Sequence, residues 1–159
     1  MTHSVSKSSF IAKGQVAVNR RARFDYEIEQ TFVAGLVLTG TEVKSIRLGH
    51  TQINEAYGII KDGEVYISQM FIAEYVNKGY ESHVEKRDRK LLLTKKEIIK
   101  IINALTKKGA VLVALKLFFD EHSRAKLEIG LGHGKKLYDK RDTIKDRDWQ
   151  RDKARLMKG

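Results

Sequence analysis

Short segments in which apolar and polar side chains alternate recur between residues 24 and 131, and they constrain the fold more than any other feature. A period of two places every second side chain on the same face of a half-buried strand. Phe24, Tyr26 and Ile28, for example, alternate with acidic residues. Together with apolar segments of strand length, this pattern predicts strands near residues 24–28, 32–38, 57–60, 65–68, 111–117 and 127–131.

Two helices are predicted between these strands. Thr39 with Glu42, and Thr94 with Glu97, match the capping box, in which each member of the pair hydrogen-bonds the backbone beside the other. The residues that follow Thr94 place isoleucines and a leucine on one helical face, which favours an amphipathic helix. A glycine ends each predicted helix, at Gly49 and Gly109.

The turn signals complete the fold prediction. Asp62-Gly63 lies between two apolar arms and tolerates the positive φ of a type I′ hairpin turn. Gly35, inside an apolar segment, favours a bulge or sharp bend of the kind found at barrel corners. We therefore predict a mainly β fold: an OB-fold-like antiparallel barrel of about six strands with two to three helices, followed by a disordered C-terminal tail.

The chain is predicted to have three parts. Residues 1–15 are polar and are expected to form a flexible N-terminal arm, and residues 16–132 to form the OB-like body. From Gly132 to the end, ten Lys or Arg stand against five Asp, and apolar residues are too sparse for a stable isolated helix. No glycine interrupts 142–157, so residues 133–159 are predicted to be disordered when free and helical when a partner orders them.

The net charge indicates a polyanionic partner. The chain carries 31 Lys or Arg and 20 Asp or Glu, a formal net charge of +11. Such an excess opposes compaction by self-repulsion, so it favours nucleic-acid binding. Two alternatives are a basic surface kept for solubility and an anionic membrane, although no segment matches a basic amphipathic helix with a broad apolar face.

Several classes of chemistry are not indicated. The chain has no cysteine, and its five histidines are scattered, so we expect no disulfide, metal or cofactor. No nucleophile elbow or phosphate-binding loop is present, and we expect neither an enzyme nor a small-molecule substrate. No apolar run is long enough to span a bilayer, so we expect a cytoplasmic protein with no membrane partner.

Positive charge is concentrated in three runs. These are Asn19–Arg23, Lys86–Lys90 and the tail, and each could instead be a solvated surface. The glycine-rich segment 130–136 favours either a flexible stretch whose backbone can approach phosphates closely or a simple flexible linker. Tyr138 and Trp149 lie among the tail cations, as expected for stacking on bases, although Trp149 could dock the tail onto the body.

Motifs spread along the chain resemble the SsrA-binding protein (small protein B) family. They are Asn-Arg-Arg-Ala-Arg at 19–23, Gly-Thr-Glu-Val-Lys-Ser-Ile-Arg at 40–47, Arg-Lys-Leu-Leu-Leu at 89–93, Gly-Lys-Lys at 134–136, Tyr-Asp-Lys-Arg at 138–141 and Trp-Gln-Arg-Asp-Lys-Ala-Arg at 149–155. The resemblance implies an OB-type barrel that binds the tRNA-like domain of tmRNA and delivers it to ribosomes stalled on messages without a stop codon. In this process, trans-translation, the nascent peptide is tagged for degradation, and the protein itself breaks no bond.

The resemblance also implies site residues. Those matching RNA-binding positions are Asn19, Arg20, Arg21, Arg23, Lys44, Lys90, Leu91, Gly134, Lys135 and Lys136. Those matching the tail segment that contacts the decoding centre, the mRNA channel and 16S-type rRNA of the small ribosomal subunit are Tyr138, Asp139, Lys140, Arg141, Ile144, Trp149, Lys153 and Arg155. Two positions depart from the family pattern: many members have an acidic residue at Val33, and some have His at Tyr138.

Two other functions remain open from the sequence. A general single-strand RNA-binding chaperone could use the same barrel, but such proteins usually expose several aromatics on one strand face. A small nuclease using Asp and Glu with Mg²⁺ would need a tight acidic cluster, which the sequence does not suggest.

Overall fold

The computed structural model describes residues 10–75 and 81–134. Its helices are α1 (Ala22–Asp25), α2 (Gly40–Arg47) and α3 (Lys95–Leu105). Its strands are β1 (Gly14–Val18), β2 (Tyr26–Leu36), β3 (Thr51–Gln52), β4 (Tyr57–Lys61), β5 (Glu64–Ser68), β6 (Phe71–Ile72), β7 (Arg89–Leu92), β8 (Ala110–Phe119) and β9 (Ala125–Gly134).

Six strands close into a ring. The pairings run β8–β4–β5–β7–β2–β9, and β9 pairs again with β8, so the antiparallel sheet returns to its start. One edge of β8 is shared, because Val113 pairs with β4 while Lys116–Phe119 pairs with β1. The two short strands β3 and β6 form a separate pair. The predicted mainly β barrel is confirmed, and its closed ring has six strands among the nine of the described residues.

Gly35 lies at a corner of this ring. Along β2, residues before it pair with β9 only, whereas Gly35 pairs with both Lys126 of β9 and Leu92 of β7. A Cβ at Gly35 would lie 3.2 Å from the Cβ of Leu92, which is tighter than ordinary packing. Glycine therefore lets β2 pass from one neighbour to the other, as the predicted bend requires.

Both predicted helix starts are present. Thr39 caps α2 and Thr94 caps α3, and in each case the threonine side chain accepts from the backbone of the glutamate three residues later. The glutamates complete the boxes, since Glu42 and Glu97 accept from the backbone N–H of Thr39 and Thr94 at 2.8 and 2.9 Å. Asp62 and Gly63, with φ of 50° and 73°, make the predicted β4–β5 turn.

The core has two parts. The barrel interior is filled by aliphatic side chains and two phenylalanines, contributed by every ring strand except β4, and α2 and α3 each add a fully buried isoleucine, Ile46 and Ile101. A smaller cluster forms on the outer face, where Ala22 of α1 packs against Val113 and Leu115 of β8. The α1 turn is thereby fixed to the outside of the barrel wall.

Several local boundaries differ from prediction. Phe24 lies in α1 and is 63% exposed, so the first predicted strand begins only at Tyr26 and joins the second as the single strand β2. Ile11 packs against the core and β1 begins at Gly14, so the predicted arm boundary at residue 15 falls inside an ordered strand. No strand is predicted near residue 90, whereas β7 spans Arg89–Leu92.

Two other features are absent from the residues that the structure describes. No helix in the described ranges is both long and apolar enough to cross a membrane. Residues 10–75 and 81–134 also contain no group of three or more His, Asp or Glu placed to hold a metal ion.

Candidate nucleic-acid interface

Four predicted RNA-binding residues lie within 19–23, where the chain enters α1, and we call residues 19–25 the α1 turn. Its base is Asn19, which is 7% exposed and whose Nδ2 donates to the Ala114 carbonyl at 3.0 Å and to the Asn54 carbonyl at 3.4 Å. The Asn19 backbone N–H also donates to the Leu115 carbonyl at 2.8 Å. Asn19 therefore anchors the turn to β8 and to the neighbouring loop through buried hydrogen bonds.

Three arginines project from this anchored turn. Arg20, Arg21 and Arg23 are all exposed, whereas Ala22 between them is buried against the barrel. The nearest acid is Asp25, whose Oδ2 lies 3.7 Å from the Arg21 Nε, and the Arg21 side chain remains 76% exposed. A surface pair of this kind is weak, so the guanidinium groups are available to phosphate or to a base plane.

The second basic run, Lys86–Lys90, is not one surface. Arg89 is fully buried, and its Nε donates to Oε2 of Glu42, which is also fully buried on α2. Arg87 adds two bonds to the same carboxylate, Nε to Oε2 at 3.0 Å and Nη2 to Oε1 at 2.6 Å. The expectation that this run is an RNA-facing patch is therefore wrong for Arg87 and Arg89, which hold the chain before β7 against α2.

The electrostatics of this cluster follow from burial and pairing. Burial alone would raise the pKa of Glu42, but hydrogen bonds from Arg87, the Thr39 backbone and Arg89 outweigh it and hold that pKa below its ordinary value. The pKa of Arg89 is lowered by burial, with Glu42 opposing the shift. Further Arg89 bonds to the carbonyls of Met70, at 2.6 Å, and Glu85, at 3.1 Å, leave this buried cation well satisfied.

Lys90 and Leu91 face opposite sides of β7. Lys90 is half-buried on the outer side, with its Nζ 4.0 Å from Oε2 of Glu64. Leu91 is fully buried in the core, so its side chain cannot touch RNA directly, whereas Leu92 is 53% exposed. Strand alternation places Lys90 and Leu92 on one face and Arg89 and Leu91 on the other, but the sequence does not indicate which of these faces is buried.

Leu92 and Val33 lie in an open groove of about 530 Å³ at the junction of β2, β7 and α3. Val33 is 51% exposed, so the groove has apolar surface open to solvent. Lys90 and Lys95 contribute cations to its wall, and Glu64 and Glu97 contribute acids. An apolar surface beside cations suits a ribose or base edge next to a phosphate.

Lys44 is exposed on α2, with its Nζ 5.5 Å from the centroid of the Tyr75 ring. Lys44 belongs to neither of the surfaces described above.

The α1 turn and Lys90 lie on different strands of the closed ring. The α1 turn packs on β8 and Lys90 lies in β7, and these two strands are three positions apart in either direction around the ring. The structure thus places these predicted residues on opposite walls of the barrel.

The glycine-rich segment is largely part of the barrel. Gly130 and Gly132 lie in β9, which pairs with β2 and β8 on its two edges. A Cβ at Gly132 would come within 1.8 Å of the Glu27 carbonyl oxygen, so only glycine fits there. The expectation of a flexible phosphate-binding stretch or linker is therefore wrong for 130–134, which belongs to β9, and close strand packing favours glycine at 130 and requires it at 132.

Gly134 closes β9, opposite Tyr26, and a Cβ there would meet the Tyr26 ring only at 4.0 Å. The remaining predicted site residues lie outside the described residues: Lys135, Lys136, Tyr138, Asp139, Lys140, Arg141, Ile144, Trp149, Lys153 and Arg155.

A small closed β-barrel that presents arginines on an anchored surface turn is characteristic of nucleic-acid-binding barrel proteins. Residues 16–159 match the family model described as SmpB protein. The chain therefore belongs to the SmpB family.

The relatives carry the same family name. The chain is 52% identical to the SsrA-binding protein of Caulobacter vibrioides over 144 residues, covering 91% of this chain and 95% of the relative. It is 50% identical to the SsrA-binding protein of Sinorhizobium fredii over 143 residues, covering 90% of each. A solved chain described under "tmRNA-SmpB: a journey to the center of the bacterial ribosome" matches with a TM-score of 0.63 and 43% identity, covering 75% of this chain and 83% of that one.

Proposed function

We propose that this protein binds the tRNA-like domain of tmRNA and delivers it to ribosomes stalled on messages that lack a stop codon, so that trans-translation can begin. The observation that carries the proposal is the α1 turn, in which buried Asn19 fixes exposed Arg20, Arg21 and Arg23 on the barrel of an SmpB-family chain. A rigid platform places cations at fixed positions, and fixed cations favour a folded RNA of matching shape over a flexible strand.

The body and the tail have separate roles, the body in contacting tmRNA and the tail in contacting the ribosome. Lys90 and the apolar groove beside it provide a second contact on the opposite wall of the barrel. The residues after β9, 135–159, would occupy the empty mRNA channel and the decoding centre of the small subunit, with Tyr138 and Trp149 stacking on 16S-type rRNA. The high ratio of charged to apolar residues supports a tail that gains helical order from its partner.

We further infer that the protein acts in the cytoplasm and breaks no bond itself, with peptidyl transfer left to the ribosome. The relatives' name, SsrA-binding protein, supports a binding role. Incubation of labelled RNA with the protein and Mg²⁺ tests this inference. Intact RNA length is expected, and shortened products would instead support the nuclease alternative.

The decisive experiment compares two RNAs at the same salt concentration: the tRNA-like domain and an unstructured oligonucleotide of equal length. We expect the folded domain to bind about tenfold or more tightly, because the fixed cations match a folded RNA. A nonspecific chaperone would instead bind both RNAs similarly, because its affinity would depend mainly on phosphate charge. Equal affinities would contradict the proposal and support a general single-strand RNA chaperone.

Truncation separates the two parts. Removal of residues 137–159 should leave substantial affinity for the tRNA-like domain, because the α1 turn remains, while abolishing peptide tagging on stalled ribosomes. Loss of RNA binding without a ribosomal defect would show that the tail acts only as an electrostatic clamp.

Within the full chain, the Trp149→Ala variant should support little peptide tagging while its RNA affinity stays near normal. Normal tagging by this variant would contradict a role for Trp149 on the ribosome.

A further inference from the structure

The solvent-facing side of α3 is basic and has no acid on it. Lys95, Lys96 and Lys100 are all exposed, and the two other exposed residues of the helix are Ile99 and Asn103. The opposite face packs into the core through Ile98, Ile101 and Leu105. Lys96 and Lys100 are four residues apart, so they are neighbours on one helical face.

No acid in the described part of the chain neutralises these lysines. None of the three forms an ion pair within residues 10–75 and 81–134. The only acid on the helix is Glu97, and its carboxylate is held by the capping box with Thr94. The three charges therefore remain open to an external anion.

The position of these lysines is electrostatically unfavourable for the helix itself. Lys95 and Lys96 lie in the first turn of α3, where the aligned peptide dipoles already place partial positive charge. Cations are favoured at the other end of a helix, yet the last turn of α3 has none. A placement that opposes local stability is expected where a residue serves binding.

The lysine face adjoins the groove that holds Lys90. Lys95, Glu97 and Ile98 of α3 line that groove together with Val33 and Leu92. Its apolar surface is thus bordered by Lys90 on one element and Lys95 on another. From Lys95 the cations continue along the helix to Lys100, a rise of roughly 7 Å at about 1.5 Å per residue.

We propose that Lys95, Lys96 and Lys100 form a phosphate-binding track that extends the Lys90 groove along α3, and that its occupant is the sugar–phosphate backbone of the tRNA-like domain of tmRNA. Continuity with the groove and charge complementarity favour this occupant. Lysines act as point charges on phosphates and carry no sequence information, so the track would strengthen and orient binding without reading bases. The inference rests on the proposed function, because it extends the surface assigned to that RNA.

The test compares two triple variants with the same loss of charge. Lys95→Gln, Lys96→Gln and Lys100→Gln remove the track, while Lys13→Gln, Lys107→Gln and Lys108→Gln remove three exposed lysines outside the groove. Glutamine is about as good a helix former as lysine, and loss of positive charge in the first turn should not weaken α3. Equal thermal unfolding midpoints for the two variants and the wild type would establish that both are folded.

Affinity for the tRNA-like domain is measured across a range of salt concentrations. The track variant is expected to bind about tenfold or more weakly, with the slope of log affinity against log salt reduced by about 2 to 3, since each phosphate contact contributes close to one unit. The control variant should keep the wild-type slope. Equal affinities and slopes for the two variants would overturn the track, whereas failure of the wild type itself to bind would overturn the proposed function instead.

Two further arms distinguish other occupants. Retained affinity for the tRNA-like domain with reduced affinity for isolated small ribosomal subunits would assign the lysines to the ribosome and contradict the inference. Retained RNA affinity with lost binding to vesicles of phosphatidylcholine and phosphatidylserine in equal parts would assign them to a membrane and contradict it as well.

Discussion

Two arginine groups in this chain look alike in the sequence and differ completely in the structure. Arg20, Arg21 and Arg23 stand exposed on a turn whose buried anchor is an asparagine. Arg87 and Arg89 instead converge on the buried carboxylate of Glu42. The difference shows that a cluster of cations in the sequence indicates RNA binding only where its side chains do not pair with a buried acid.

The largest expected effect is on stability and comes from the buried group. Arg89→Ala leaves the Glu42 charge buried with fewer partners, so we expect a loss of about 3–5 kcal/mol in the free energy of unfolding, measured by urea denaturation. As a control, Lys61→Ala removes a surface partner of Asp88 and should leave the urea midpoint unchanged. An Arg89→Ala midpoint equal to that of the control would contradict the structural role of the buried group.

A second prediction compares two glycines of β9, one in close contact with the neighbouring backbone and one with space around it. Gly132→Ala drives a methyl group into the Glu27 carbonyl and should cost about 1–3 kcal/mol of stability. Gly134→Ala adds a methyl group at ordinary packing distance from Tyr26 and should be tolerated. Thermal unfolding of both variants checks this, and equal midpoints would show that β9 is not packed as described.

A smaller effect is expected in the pH dependence of stability. The folded-state pKa of Glu42 lies below its ordinary value of 4.5, so its stabilising contribution is present above that pH and is lost as the pH falls through the folded-state pKa. Arg87→Gln removes the leading hydrogen bond that lowers this pKa. The variant should be less stable than the wild type at pH 7, and the difference should shrink below pH 4.5.

Urea unfolding at several pH values measures that difference. A gap that stays constant from neutral pH into the acid range would mean that Arg87 stabilises the fold through packing and its hydrogen bonds to the Val37 and Asp88 carbonyls, without its charge on Glu42.

The predictable parts of the fold are those set by local sequence. Both capping boxes and the Asp62-Gly63 turn depend on residues within a few positions of one another, and each is present where expected. The alternating segments likewise gave most of the barrel strands. Short strands such as β3 and β6, of two residues each, carry too little pattern to be found this way.

The parts that could not be predicted depend on distant contacts. The Glu42–Arg89 pair joins residues 47 positions apart, so nothing local marks that arginine as internal. Leu91 and Leu92 are identical in type, and only the register of β7 decides which one faces solvent. For the same reason the sequence indicated cations in several runs but not which walls of the barrel would carry them.

The measurement that tests the central claim most directly is the affinity of an arginine variant for the tRNA-like domain of tmRNA. This variant carries Arg20→Gln, Arg21→Gln and Arg23→Gln. Its charge-matched control carries Lys13→Gln, Lys107→Gln and Lys108→Gln. The arginines make few contacts within the fold, so the variant should unfold at the wild-type temperature. We expect it to bind about tenfold or more weakly, with a shallower salt dependence than the control. A folded arginine variant that binds as tightly as the control, with the same salt slope, would contradict the account.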